Sequence, residues 1–89
     1  MIRQYSNKEI LEIIGENARR YRRELNLSQL ELATSTGLST STIQLFESGK
    51  INISLSNLLT IMRSLGQIEN ITSLFPEQPE NPYKTFRRQ

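Results

Sequence analysis

The sequence contains no cysteine and no histidine. Without cysteine, disulfides and thiolate metal sites are excluded, and a reducing intracellular compartment fits. Without histidine as well, the usual metal ligands and the commonest general base are missing. The many serines and threonines have no base beside them in the pattern. Nucleophilic catalysis therefore has no machinery, and no enzyme, metal or cofactor is expected. No long apolar run and no signal peptide is legible, which predicts a soluble, cytoplasmic protein that does not enter a membrane. No segment shows strand-like alternation above background. The 89 residues suffice for one small domain. A domain of this size buries only about 60–65% of its unfolded surface, so its core is thin and self-association is a natural source of added stability.

Net charge is only +2, but the charges are unevenly placed. Arg19, Arg20, Arg22 and Arg23 sit together, and Arg87 and Arg88 lie at the end. Clustered arginine raises the local positive potential even where the total is modest. Taken alone, the cluster reads equally well as a solvated helix face.

The chain divides into helical segments with hydroxyl caps. Ser6 with Glu9 is a capping box, and Tyr5 with Ile10 can staple it. Ile10, Ile14, Ala18, Tyr21 and Leu25 then recur at three- and four-residue spacing, which predicts a helix from about Asn7 to Leu25. Gly15 inside it costs about 1 kcal/mol relative to alanine and can permit close approach of another helix. Ser28 with Glu31 is a second capping box, followed by Leu32 and Ala33 as core residues. Gly37 ends that segment near Ser35 or Thr36. Ser39 caps a third segment whose inward residues are Ile43 and Phe46, and Gly49 stops it. A fourth starts at Ser54 or Ser56, carries Leu55, Leu58, Leu59, Met62 and Leu65, and stops at Gly66. A short fifth helix is predicted over Gln67 to Leu74, turning Ile68, Ile71 and Leu74 or Phe75 inward, before Pro76. The ending "PEQPENPYKTFRRQ" reads as an extended arm or linker rather than core.

Two helices joined by a glycine-containing turn of three or four residues, the second opened by a hydroxyl cap, follow the helix-turn-helix plan. Ala33 is small enough for the helices to cross closely. Gly37 accepts a positive φ. Leu38 and Ile43 anchor the second helix, so its start projects short polar side chains outward. Short side chains suit a helix that must enter a major groove about 12 Å wide. Free backbone N–H groups at helix starts can bind phosphate, at Gln29 and at Ser39. Lys50, Asn52 and the loop after Gly49 would hold phosphates on the other side, with Gln44 and Ser48 joining that set. Such contacts fix position, while contacts to base edges choose sequence.

Residues Ile14 to Leu65 resemble the Cro/C1-type (XRE) helix-turn-helix family. The resemblance is carried by "ENARRYRRELNLSQLELA", "TGLSTSTIQLFESGK" and "SLSNLLTIMRSLG". It implies an all-α, five-helix, lambda-repressor-like DNA-binding domain with a short extended C-terminal tail. Residues 1–13 form an N-terminal extension of the first helix, 14–75 the domain, and 76–89 a proline-containing basic tail. The recognition helix of the family matches Thr40 to Ser48, which puts Thr40, Ser41 and Leu45 in base-contacting places with Thr42 beside them. Gln29 matches a phosphate-contacting glutamine. Arg22 and Glu47 match a partly buried salt bridge between the first and the recognition helix; without the resemblance they read as two unrelated surface charges. Leu45 stands where a polar or basic residue is frequent, and reads either as a contact to a thymine methyl or as a packing residue. Leu30 is apolar at a usually polar site and could face a partner chain. With no arginine or lysine in the reading helix, the strongest guanine contact is missing from it. Specificity then leans on methyls, hydroxyls, water and DNA shape.

The implied function is a sequence-specific transcriptional regulator, a repressor that binds double-stranded DNA as a homodimer and reads two half-sites. The dimer surface would come from the fourth and fifth segments or the tail; those apolar stripes read equally as core. An alternative comes from "SLFPEQPENPYKTFRRQ", which loosely resembles the tails of HipB-type antitoxins. That reading implies a protein that represses its own operon and holds a HipA-like kinase toxin inactive.

Overall fold

The computed structural model describes residues 4–76. Its elements run α1 (Asn7–Glu24), α2 (Gln29–Thr36), α3 (Thr40–Glu47) and α4 (Leu55–Ser64), then a 3-10 helix (Ile68–Ser73). The four α-helices begin where a serine hydroxyl accepts the backbone N–H three residues on: Ser6, Ser28, Ser39 and Ser54. Capping by these hydroxyls satisfies N–H groups that have no partner inside the helix. Ser6 and Ser28 form complete capping boxes with Glu9 and Glu31. The Ser6 N–H donates to Glu9 Oε1 at 2.8 Å. That bond holds the Glu9 carboxyl below its ordinary range. α1 ends at Glu24 with Leu25 as its cap, and Asn26 just beyond takes a left-handed φ of 59°, a conformation asparagine tolerates better than most residues.

The core is small. Leu32 and Ala33 from α2, Ile43 and Phe46 from α3, and Ile61 with Leu65 from α4 and its cap are buried together. Ala18, Leu38, Ile51, Ile53 and Leu58 pack against them, half-buried. α2 is the middle element, contacting both α3 and α4, while α1 lies against α3.

Three expectations are corrected. The apolar stripe of α1 is buried only in part: Ile10 and Ala18 are half-buried, Ile14, Tyr21 and Leu25 stay substantially exposed, and the buried residues of the helix are Gly15 and Arg22. The reason is backbone proximity. A Cβ on Gly15 would stand 2.6 Å from the Glu47 carbonyl oxygen and closer still to that of Phe46. Helices that meet this closely have no room for side chains at the contact, so the stripe falls to its edge. There Ile14, Ala18 and Tyr21 border a groove with Leu58, Met62 and Leu74. In α4 the fully buried residue is Ile61, outside the predicted stripe, and Leu55 is exposed in the first turn. The fifth helix is a 3-10 helix rather than α-helix, and it lacks a side-chain cap. Three residues per turn put Ile68 and Ile71 on one edge, whereas Leu74 and Phe75 are exposed rather than inward. The arm predicted from Pro76 onward lies, from residue 77, outside the described residues.

Candidate nucleic-acid interface

α3 is sunk on one side and bare on the other. Ile43, Phe46 and Glu47 are buried, while Ser41, Gln44, Leu45 and Ser48 face solvent and Thr40 and Thr42 are half-buried. The turn before it follows from Gly37, whose φ of 75° ends α2 with its N–H on the Ala33 carbonyl. Ser39 then restarts the helix. Its hydroxyl accepts the Thr42 N–H at 3.0 Å and meets the Thr42 hydroxyl at 2.9 Å. Two of the hydroxyls at the helix start are therefore partly engaged with each other. Ser48, one residue past the helix, donates to the Leu45 carbonyl. Leu45 is 40% exposed, so it is no core residue of the monomer.

The position of α3 is held by a buried polar knot. Arg22 Nε donates to Glu47 Oε2 at 2.7 Å and Arg22 Nη2 to Glu47 Oε1 at 3.1 Å. Arg22 Nη1 donates to the Leu27 carbonyl at 2.8 Å. Gln29 Nε2 donates to Glu47 Oε1 at 3.0 Å. Every buried side-chain nitrogen and oxygen among the described residues has a partner, which is the condition for a buried ion pair to be tolerated. One knot thus ties α1, the α1–α2 loop, the first turn of α2 and the last turn of α3. The Gln29 link to Glu47 is absent from the sequence reading; eighteen residues separate the two, and no local pattern joins them.

Not every member of the arginine cluster is free to face a partner. Arg22 points into the knot, Arg19 lies 3.8 Å from Glu16 across exposed surface, and Arg20 lines a hollow with Asn17, Tyr21 and Glu24. Beyond α3, Gly49 takes a φ of 73°, and a Cβ there would stand 2.7 Å from the Glu12 Cα. α1 therefore touches the chain just where α3 ends. This contact brings Asn7 and Lys8 beside Lys50 and Asn52 in one concavity. The sequence reading named Lys50 and Asn52 but missed Asn7 and Lys8. Among the described residues no group of three His, Cys, Asp or Glu side chains gathers as a metal site requires, and no helix is long and apolar enough to cross a membrane.

The sequence matches the helix-turn-helix family over residues 19–69, more than half of the chain. The chain belongs to the helix-turn-helix family, of Cro/C1 (XRE) type. It is also similar to the control protein C.SmaI of Serratia marcescens, with 40% identity over 57 residues, an alignment covering 64% of this chain and 68% of that protein. Family membership assigns the coarse function: a DNA-binding transcriptional regulator that acts on double-stranded DNA. The matched span contains α2, the Gly37 turn and α3.

Proposed function

We propose that the chain is a sequence-specific repressor that places α3 in the major groove and binds its operator as a homodimer in the cytoplasm. The observation that carries this reading is the two-sided character of α3. Its buried side is locked by Ile43, Phe46 and Glu47, and its other side offers Ser41, Gln44, Leu45 and Ser48 to solvent. A helix held rigidly by one side can present the other to base edges without first being ordered.

Thr40, Ser41, Thr42 and Leu45 are the base readers in this proposal. Gln29, Ser39, Gln44, Ser48, Lys50 and Asn52 hold phosphates, Ser39 through the backbone because its hydroxyl is committed to the cap. One such domain touches few bases, and two copies on a two-fold axis would read half-sites about 10 bp apart. The groove bordered by Ile14, Tyr21, Met62 and Leu74 contains no residue of α3. A second copy seated on that side would leave the reading helix free. The name of the similar control protein accords with a regulatory role.

The test has two parts. Genomic fragments captured by the protein supply a duplex, and fluorescence titration compares it with a random duplex of equal length. Sedimentation at the titrated concentrations gives the stoichiometry. Tighter binding of the captured fragment by two protomers supports the proposal; equal affinity for both duplexes, or one protomer per site, refutes it.

A further inference from the structure

The concavity beside the end of α3 is lined by Asn7, Lys8 and Leu11 from α1 and by Gly49, Lys50, Ile51 and Asn52 from the loop. Two cations and two amides thus share one hollow with no acidic side chain in its lining. Glu12 comes up against Gly49 with its backbone and Cγ, and it lines a separate hollow with Glu9 and Glu16. Among the described residues neither lysine takes part in an ion pair. Like charges held together without an anion repel, and a phosphate between them converts that repulsion into attraction.

The placement follows from α1. Lys8, Gly15 and Arg22 are seven residues apart and share a helix face. Gly15 abuts the Phe46 and Glu47 carbonyls and Arg22 grips Glu47, so the same face, two turns earlier, brings Lys8 past the end of α3. The glycine at 49 lets α1 approach without a side chain in between.

We propose that Lys8, with Asn7, joins Lys50 and Asn52 in a clamp on a DNA backbone phosphate flanking the recognition helix. This rests on the reading of α3 as the groove-entering helix. The family match begins at residue 19, so Lys8 lies outside it, and the clamp extends the footprint beyond the matched domain.

The test is the salt dependence of binding to a short random-sequence duplex, measured by fluorescence titration for the intact chain and three variants. Each phosphate neutralised contributes about 0.9 to the slope of log K against log salt. Lys8→Ala should lower the slope by about one per bound protomer. Lys8→Arg should keep it, and so should Arg20→Ala, whose side chain lies on another face of α1. Thermal melts of the Lys8 variants should match the parent, because Lys8 is exposed. An unchanged slope in Lys8→Ala against a steep parent line overturns the clamp and leaves the reading of α3 standing. An equal fall in Arg20→Ala also overturns it, since diffuse charge would then account for the effect. A flat parent line overturns both the clamp and the reading beneath it.

Discussion

The Arg22 guanidinium meets the Glu47 carboxylate through two hydrogen bonds, at 2.7 Å and 3.1 Å, with 7% and 5% of the two residues exposed. Twenty-five residues apart in sequence, they join α1 to the last turn of α3. Removing one partner strands the other charge in a buried site. Glu47→Ala should therefore cost about 3–5 kcal/mol in urea melts. A loss near zero would mean that Arg22 finds water or another acceptor, and that the knot does not hold α3.

Gly15→Ala should act against the usual sign. In an ordinary helix interior this change stabilises by roughly 0.5–1 kcal/mol. Here the new Cβ would stand 2.6 Å and 2.8 Å from backbone atoms of Glu47, which cannot swing aside as a side-chain tip can. Overpacking of this kind costs about 1–3 kcal/mol, and α3 must shift to relieve it. Thermal melts should show a lower midpoint, and operator binding should fall further than the stability loss alone explains. A raised midpoint would contradict the close approach.

The parts of this fold that were legible in the sequence are the local ones. Ser6, Ser28 and Ser39 start helices because a cap needs only a hydroxyl and an N–H three residues away, and for the fourth helix the same rule left Ser54 and Ser56 open, of which Ser54 is the cap. Leu32, Ala33, Ile43 and Phe46 were recognisable as core because they lie between two such caps. Gly15 was read as a place where another helix could approach closely, and α3 does so there; that the buried face of α1 centres on this glycine was not legible, since hydropathy registers apolar side chains and the contact is made by the absence of one. Ile61 escaped for a related reason: in a helix carrying leucine or methionine at 55, 58, 59 and 62, the pattern does not single out one inward residue. The Arg22–Glu47 pair came from family resemblance, as nothing in the spacing joins them. Lys8 carried no signal until the meeting of Gly49 with Glu12 placed it beside Lys50.

Thr40→Ala combined with Ser41→Ala should weaken binding to the captured genomic fragment and leave binding to random duplex nearly intact. Both residues lie in the first turn of α3, and neither side chain takes part in the caps at Ser39 or Ser48. The fold should survive the change. Fluorescence titration against both duplexes decides the matter. Equal losses on the two would remove these residues from the set that reads bases.

Gln29→Ala should behave differently, weakening specific and random duplex alike, because a phosphate contact carries no sequence information. The structure adds a stability term. Gln29 Nε2 donates to Glu47 Oε1, but Arg22 Nη2 donates to the same oxygen. The carboxylate keeps a partner, so the cost in a urea melt should be about 1 kcal/mol, well below that of Glu47→Ala. A cost equal to that of Glu47→Ala would mean that Gln29, rather than Arg22, holds Glu47 in place.

Leu45 separates direct reading from packing. It is 40% exposed on the outer side of α3, so Leu45→Ala should change stability by less than about 1 kcal/mol, far from the 2–5 kcal/mol of a buried leucine. If its methyl groups touch a thymine methyl, replacing that thymine by uracil in the operator removes the same contact from the other side. Uracil should then weaken the parent protein and have little further effect on Leu45→Ala, since a contact cannot be lost twice. Scanning uracil through each thymine of the captured fragment would locate the base. Additive losses at every thymine would mean that Leu45 shapes the helix surface without reading the groove, and sequence choice would then rest on the hydroxyls of Thr40, Ser41 and Thr42.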